Sequence, residues 1–395
     1  MAEPPSITSI GYLTRIGVGE EAAYGTPILT TQVLPSVSES LNDVYAEIPD
    51  LSLQGSPIVD TPEKGNFSAT GDMVVPMRYL NEFVLLKHFF GEFATGRYDL
   101  VPSIQGKALT VAIDKQVLGV WEYPGTKATQ IVWTSNADGV QLQTSMIPGA
   151  LNLNSALNTS AHLVSLVQDA RLLLHHHLVL LVGTQDHALS PATDDLCVSE
   201  LTLTLGRPMA IDYTNCSQNP MEPIENDFLN FRLAVTFPRF RTEEEQIITW
   251  RQNYTRLHAS LTYTHPVNAR TKTIVIPNLV FVTATAPTTG PGPRVLSTEA
   301  SISQGKDVTT SNLVSFQASD KSINRTGGVF PVVYPGATVT VSGAATGGNN
   351  GTFEALSWTT TKITLTAAAA TIVDETAGAT VTVSTSNPPI FLTET

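Results

Sequence analysis

The sequence predicts a mainly β protein: two tandem β-sandwich or barrel domains, each with one packed α-helix, followed by a small all-β C-terminal domain. Helical periodicity is scarce. Only 14% of the 395 residues are charged, against 27 glycines and 25 prolines, the profile of a chain rich in strands and turns. A strand, proline, turn and helix plan occurs twice, at Gly65–Gly91 and again at Phe228–Arg256. One internal duplication is the simplest account, and a chain this long and 42% hydrophobic can bury two or three cores.

Taken in order, MAEPPSITSI has neither a basic n-region nor an apolar h-region, so no signal peptide is expected. Gly11–Pro35 mixes glycines, prolines and weak strand signals and is expected to extend as an arm. In the first copy Phe67, Ala69, Met73 and Val75 alternate with Ser68, Thr70 and Asp72, placing apolar and polar residues on opposite strand faces. Pro76 ends the strand because it has no N–H to donate. A helix carrying Leu80, Phe83, Val84 and Phe90 then stops at Gly91, suited to a left-handed cap. Strands follow at Ala108–Gln116 and Thr126–Trp133. Asn136–Gly139 provides hairpin chemistry before a return strand with Val140, Leu142 and Met146.

A short helix is expected over Ala161–Leu174, with Leu163, Leu166, Val167 and Ala170 on one side, and a strand from Leu178 to Val182. The second copy repeats the plan. Phe231, Leu233, Val235 and Phe237 oppose Arg232, Ala234 and Thr236, and Pro238 ends the strand. Thr242 caps a helix with Glu245 three residues on, and Ile247, Trp250, Tyr254 and Leu257 form the apolar stripe. Ala259–Thr264, Thr273–Thr283 and Arg294–Ser303 echo the first copy's later strands. From about Asn312, short strands alternate with turn residues, including Asn350-Gly351. The expected organisation is an arm at 1–35, a first domain at 36–190, a second at 191–310 and the C-terminal domain at 311–395.

The formal charge of −13 argues against nucleic acid gripped by a basic surface. Cys197 and Cys216 supply no disulfide framework. No nucleophile elbow, phosphate-binding glycine loop, HExxH or paired-Cys motif occurs, and Gly17-Val18-Gly19 lacks the following glycine and helix. Three consecutive histidines, His175–His177, cannot all face one ion from a strand or helix, which favours a structural or interface role. Asp194-Asp195 and Asp374-Glu375 read as solvated loops rather than cation sites. Asn253-Tyr254-Thr255 is a chance triplet in a Thr-rich chain, and Trp121, Trp133, Trp250 and Trp358 read as core or interface packing. No catalytic, metal or cofactor site is expected.

Two segments carry a family resemblance. Gly19-Glu20-Glu21-Ala22-Ala23-Tyr24-Gly25-Thr26-Pro27, followed by Ser38-Glu39-Ser40-Leu41, resembles the N-terminal signature of tail tube (major tail) proteins of long-tailed bacteriophages, the siphophages. Leu178–Pro208 resembles the same family. The C-terminal block, with Ser322-Ile323-Asn324 and Gly327-Gly328, is similar to the small decoration domain many of these proteins carry.

The resemblance implies a non-enzymatic structural subunit whose tail-tube-type domains pair edge to edge in sixfold rings stacked around a DNA channel. With two domains per chain, three chains would make a pseudo-sixfold ring, and a hexamer of chains is the other option. It implies channel-lining candidates Ser68, Thr70, Asp72, Arg232 and Thr236, and inter-ring arm candidates Glu20, Tyr24, Thr26 and Pro27. Implied partners are further copies of the chain, tape-measure, terminator and distal tail proteins, and duplex DNA passing without specific binding. The protein would be made in the host cytoplasm for the virion tail, away from membranes. Other classes are a capsid decoration protein or bacterial adhesin, or a β-rich carbohydrate-active protein. The duplicated core opposes the former, and the lack of an aromatic platform or convergent carboxylates the latter.

Overall fold

A computed structural model describes residues 14–49, 62–79, 82–117, 119–167, 171–240, 244–287, 294–369 and 371–394. The chain is mainly β, as the alternating pattern requires. It divides into two compact units. The first draws on Met1–Ala94, Val101–His175 and Thr202–Asn230, and the second on Thr95–Leu100, His176–Leu201 and Phe231–Thr395.

In the first unit β1 (Ile16–Glu21), β2 (Gln32–Leu34), β3 (Ser38–Glu39), β4 (Asn42–Ile48) and β5 (Glu63–Pro76) precede α1 (Phe83–Phe90). β6 (Gly91–Ala94) follows, then β7 (Arg97–Leu100), which belongs to the second unit. β8 (Ala108–Asp114), β9 (Val120–Asn136), β10 (Gly139–Ile147) and α2 (Ser160–Ser165) complete the first half. The sheet is antiparallel: β3 and β4 flank β5, then come β10, β9, β8, β1 and β2. Phe67, Ala69, Met73 and Val75 of β5 are buried beside Val140, Leu142 and Met146 of β10. Withdrawing each larger side chain from water contributes about 1.5–3 kcal/mol. A ladder ending at Pro76 fits its missing donor.

The structure corrects several expectations in this half. Gly11–Pro35 was expected to extend as an arm, but its described part is built into this sheet, with Ile16, Val18, Val33 and Leu34 buried and β1 paired to both β8 and β2. On α1 the buried face is Leu85, Leu86, His88, Phe89 and Phe90, whereas Phe83 and Val84 are half-buried. Leu80 lies outside the described residues. The predicted left-handed cap is present, Gly91 having φ 90°. The β9–β10 turn sits one residue early, on Ala137-Asp138, with the Asp138 N–H donating to Asn136 Oδ1 and Gly139 opening β10. The helix expected over Ala161–Leu174 shrinks to α2, capped by Thr159, with Leu163 buried but Val167 89% exposed. Leu163 joins Ala112 and Val120 in a small cluster on which Leu166 also packs, too little apolar surface to hold a longer helix.

The second unit repeats the topology. It contains β11 (Leu178–Thr184) and part of β12 (Glu200–Gly206), β13 (Met209–Ala210) and β14 (Ile224–Glu225) lying in the first unit's segment. After them come β15 (Asn230–Phe237), α3 (Glu245–Gln252), β16 (Leu257–Thr264), β17 (Thr271–Thr285) and β18 (Leu296–Ile302). β11, β16, β17, β18 and β15 pair in that order, as β1, β8, β9, β10 and β5 do. One constant interval separates Ile16 from Leu178, Pro76 from Pro238 and Phe83 from Glu245. Backbone bonds match too: Val37 donates to Val74, and Ser199 to Thr236.

The expected stripe on the second helix is shorter than its spacing suggests. Ile247 and Trp250 are buried, but α3 ends at Gln252, Tyr254 is 72% exposed at φ 48°, and Leu257 already belongs to β16. Glu244 occupies the N-cap position without a side-chain capping bond, and Thr242 lies outside the described residues.

The C-terminal domain is a seven-stranded sheet folded over its own core. Its strands are β19 (Lys306–Ser311), β20 (Val314–Gln317), β21 (Ser322–Arg325), β22 (Thr338–Ser342), β23 (Gly351–Thr359), β24 (Lys362–Leu365) and β25 (Val381–Ser386). Their spatial order is β19-β25-β22-β23-β24-β21-β20, around Phe316, Ile323, Phe330, Val339, Val341, Ile363 and Val383. The tight turn expected at Asn350-Gly351 is instead the end of a longer loop containing a 3₁₀ turn, Gly347–Asn349. Asn350 bridges Ala344 N and O, and Glu375 accepts from the Ala345 and Thr346 N–H groups, so side chains satisfy the loop backbone. One strand had no sequence signal: β26 (Phe391–Glu394) leaves this domain and pairs with β17 and β7.

Candidate channel face and assembly surfaces

The alternation that buries one side of each sheet leaves the other polar. In the first unit Ser68 and Asp72 are half-buried and Thr70 is exposed, on the face opposite the core. The β5–β10 register sets Asp72 beside Ser145 and Val74 beside Gln143. Asp72 accepts from Ser145 Oγ at 2.6 Å and from Gln143 Nε2 at 3.1 Å, which fixes its carboxylate on the face. The β9 register adds Gln130, Val132 and Thr134 to the same side. Asp72 is the only charged residue among these.

The second unit has the same face. Arg232 is exposed and Thr236 half-buried, with Ser301 and Ser297 opposite them. Arg232 pairs with Glu299 at 2.5 Å, so its charge is balanced locally. The five residues expected together therefore fall into two sets, Ser68, Thr70 and Asp72 in one unit and Arg232 and Thr236 in the other, each on its unit's open polar face. The sequence had not singled out Gln143, Ser145 or Glu299, although their alternate positions on predicted return strands carried the signal.

The N-terminal candidates sit on and after β1. Glu20 lies in the strand and pairs with Lys87 at 2.5 Å. Tyr24 is half-buried and donates to the Met221 carbonyl at 3.3 Å, its ring lying against Gly125 and Gly149. Thr26 and Leu29 are exposed and Pro27 half-buried. Glu21, which was not singled out, ties down this turn by accepting from Gly25 N, Thr110 Oγ1 and Gly125 N. Burial pushes its carboxyl above the usual range.

Behind the polar face the first unit buries a charged cluster. Arg207, fully buried, donates to the carbonyls of Phe89 and Val101 and faces Glu225 at 3.3 Å. Burial draws its pKa down to about 10. Lys127 is also enclosed and reaches Glu222 at 2.5 Å and the Ile104 carbonyl at 3.0 Å. Beside them, buried His88 accepts from Ala128 N, and burial first, then the neighbouring cations, lowers its pKa to about 3. These groups lock β-strands and loops together, and their partners are protein atoms.

In the second unit His258 Nε2–H donates to the His187 carbonyl at 3.1 Å, which leaves Nδ1 to accept from the Tyr334 hydroxyl at 2.7 Å. Burial lowers its pKa to about 4. Asp194 is buried, accepting from His187 and Ser190 N, so it serves its own loop. Asp374 and Glu375 likewise accept from backbone N–H groups. His175 meets Ser135 at 2.9 Å, and the His176 and His177 rings meet edge to face. Trp133 and Trp250 are buried, and Trp358 packs on the C-terminal core. Cys197 and Cys216 are free and exposed. Among the described residues, no helix is long and apolar enough to cross a membrane.

These features define a protein built from one antiparallel sheet repeated twice, each copy with a polar face opposite its core. A family profile described as phage tail tube protein matches residues 11–302, and the chain belongs to that family. It is thus a structural component of a bacteriophage tail. No curated protein matches the chain.

Proposed function

We propose that the chain polymerises into stacked rings whose polar faces surround a channel for duplex DNA, three chains giving six quasi-equivalent units per ring. The observation that carries this reading is the twofold occurrence of one sheet topology, each copy with a polar face opposite its core. Ser68, Thr70, Asp72, Arg232 and Thr236 are assigned to the channel wall. A wall on which the acidic group is held by neighbours and the basic group is neutralised by Glu299 offers phosphates few cations to bind, so DNA slides instead of sticking. The turn after β1, with Tyr24, Thr26 and Pro27, is assigned to contacts between rings, and Glu20 to holding that turn's base through Lys87. The domain bounds expected from the sequence, 36–190, 191–310 and 311–395, shift in this reading so that β1 and β2 join the first tube unit and β11 the second, while the C-terminal domain faces outward.

Mass measurement of purified rings tests the stoichiometry: three chains are expected, and six would overturn the fused-pair arrangement. Thr70→Lys combined with Thr236→Lys tests the wall. Rings should still form, while DNA release from virions slows and becomes salt-dependent. Unchanged release at low salt would remove these residues from the channel.

A further inference from the structure

The course of the chain after β10 and after β18 differs in a way that reassigns the C-terminus. In the first unit the chain continues past Ile147 alongside β9. Gly149 and Ala150 donate to the Pro124 carbonyl, Asn152 exchanges both bonds with Glu122, and Ser155 donates to Val120. The first part of β9 is thus flanked by β8 on one side and by this short return on the other.

In the second unit, β18 runs beside β17 until Ile302 faces Leu279, and the chain then departs. The vacated place along β17 is filled by β26, with Phe391 opposite Val275 and Glu394 opposite Lys272. β18 and β26 therefore lie in line on the same side of β17, occupying the positions that one uninterrupted segment holds in the first unit. Between them stands the whole C-terminal domain. Its entering and leaving strands are neighbours, Lys306 facing Ser386, and Asn387 N donates to Gly305 O at 2.8 Å at the neck. Adjacent ends of this kind are what a domain inserted into a loop needs.

β26 is held by side chains of the second unit as well as by its ladder. Phe391 and Leu392 are buried, and the Arg97 guanidinium lies 3.9 Å over the Phe391 ring. Glu394 meets Lys272 Nζ at 3.0 Å and accepts from the Tyr98 hydroxyl at 2.9 Å. Lys272 is 1% exposed, so this pair is an enclosed one.

We infer that the slot along β17 between Lys272 and Val275 is a strand-binding site whose occupant is this chain's own last strand, and that residues 303–390 are a cassette inserted into the second tube unit. The family match ends at residue 302, just where the cassette begins. β26 is the strand that completes the unit after the interruption.

Two variants of the full chain separate this from an appended tail domain. In one, residues 303–390 are replaced by a short link with the sequence of Pro148-Gly149-Ala150, which retains β26. The other ends at Ile302. The linked chain should keep the second unit's melting transition and its self-assembly. The chain ending at Ile302 should lose that transition, and a peptide spanning Asn387–Glu394 should restore it, whereas the same peptide carrying Leu392→Asp should not. Equal melting of the two variants, or loss of the second unit in the linked chain, would overturn the inference. Leu392→Asp in the otherwise intact chain gives an independent reading, because it should weaken the second unit and leave the first unit's transition in place.

Discussion

The two units share a strand order but differ in the chemistry that secures it. In the first, α1 is largely apolar and ends on a left-handed glycine, and the buried cations Arg207 and Lys127, paired with half-buried Glu225 and Glu222, tie its loops. In the second, α3 is polar except for Ile247, Ile248 and Trp250, of which Ile247 and Trp250 are buried, and Trp250 stacks parallel to Phe281 at 6.5 Å. Its closure depends on a strand delivered from the far end of the chain. The comparison teaches that this fold is specified by the alternating buried positions of the strands, whereas the connections can be capped, lengthened or interrupted. That is expected where insertions cost only the slowly growing entropy of loop closure.

The strongest tests of this equivalence lie in the matching strands. Phe67→Ala and Phe237→Ala each empty a fully enclosed site and should cost about 3–5 kcal/mol. If the units melt separately, calorimetry should show each substitution lowering a different transition. One shared transition lowered equally by both would break the comparison by making the two units a single cooperative body.

Next in size is the contrast between ion pairs. Glu394→Ala removes a carboxylate from the enclosed Lys272 and should cost the second unit about 3 kcal/mol. Glu20→Ala breaks a pair whose side chains are both about one-third exposed, and should cost at most about 1 kcal/mol. Denaturant titration of both variants measures the difference, and equal losses would show that burial does not set it.

Acid sharpens the contrast between the buried histidines. His88 and His258 have folded pKa values lowered to about 3 and about 4, both through burial first. Their unfolded forms take up protons near pH 6.5, where the folded forms do not, so the unfolded chain binds more protons and stability rises with pH. The contribution is complete above about pH 6.5 and is lost as pH falls, at up to about 1.4 kcal/mol per pH unit for each histidine. His187, which faces His258 through its carbonyl, acts in the opposite sense, since hydrogen bonds to Asp194 and then Asp186 raise its pKa. Melting between pH 5 and 7 should flatten for the second unit in His258→Gln and for the first in His88→Gln. An unchanged slope in both would place the acid sensitivity elsewhere.

How much of this was legible in the sequence follows from the range of each interaction. Strand faces were readable because alternation is local, and Phe67, Val75, Leu233 and Phe237 are buried as their spacing implies. The polar faces came with them, since a residue off the core side must lie on the other. Helix ends were less readable. The Tyr254 and Val167 positions fit an apolar period, yet the chain had already turned away from the surface they would have covered. Arg207 and Lys127 could not be recognised as enclosed, because the carbonyls and carboxylates that satisfy them come from distant segments. β26 was hidden for the same reason. Phe391–Glu394 is too short to show a period, and its partners, Thr273 and Tyr98, are remote in sequence.

The smallest predicted effect concerns the residue that turns the chain away from each helix. In the first unit that residue is Gly91 at φ 90°, where a Cβ would come 2.2 Å from Val101 Cγ2. In the second, Asn253 remains helical at φ −88°, and the left-handed conformation falls on Tyr254 at φ 48°. A tyrosine there bears a steric cost of roughly 1 kcal/mol that asparagine largely avoids. Because Tyr254 is mostly exposed, its ring contributes little packing to set against that cost. Tyr254→Asn should therefore stabilise the second unit by a few tenths of a kcal/mol and up to about 1 kcal/mol. Gly91→Ala should act with opposite sign and larger size, since strain and a clash add. Paired denaturant midpoints for the two variants would test this, and destabilisation by Tyr254→Asn would show that the ring's packing within the chain outweighs the backbone strain.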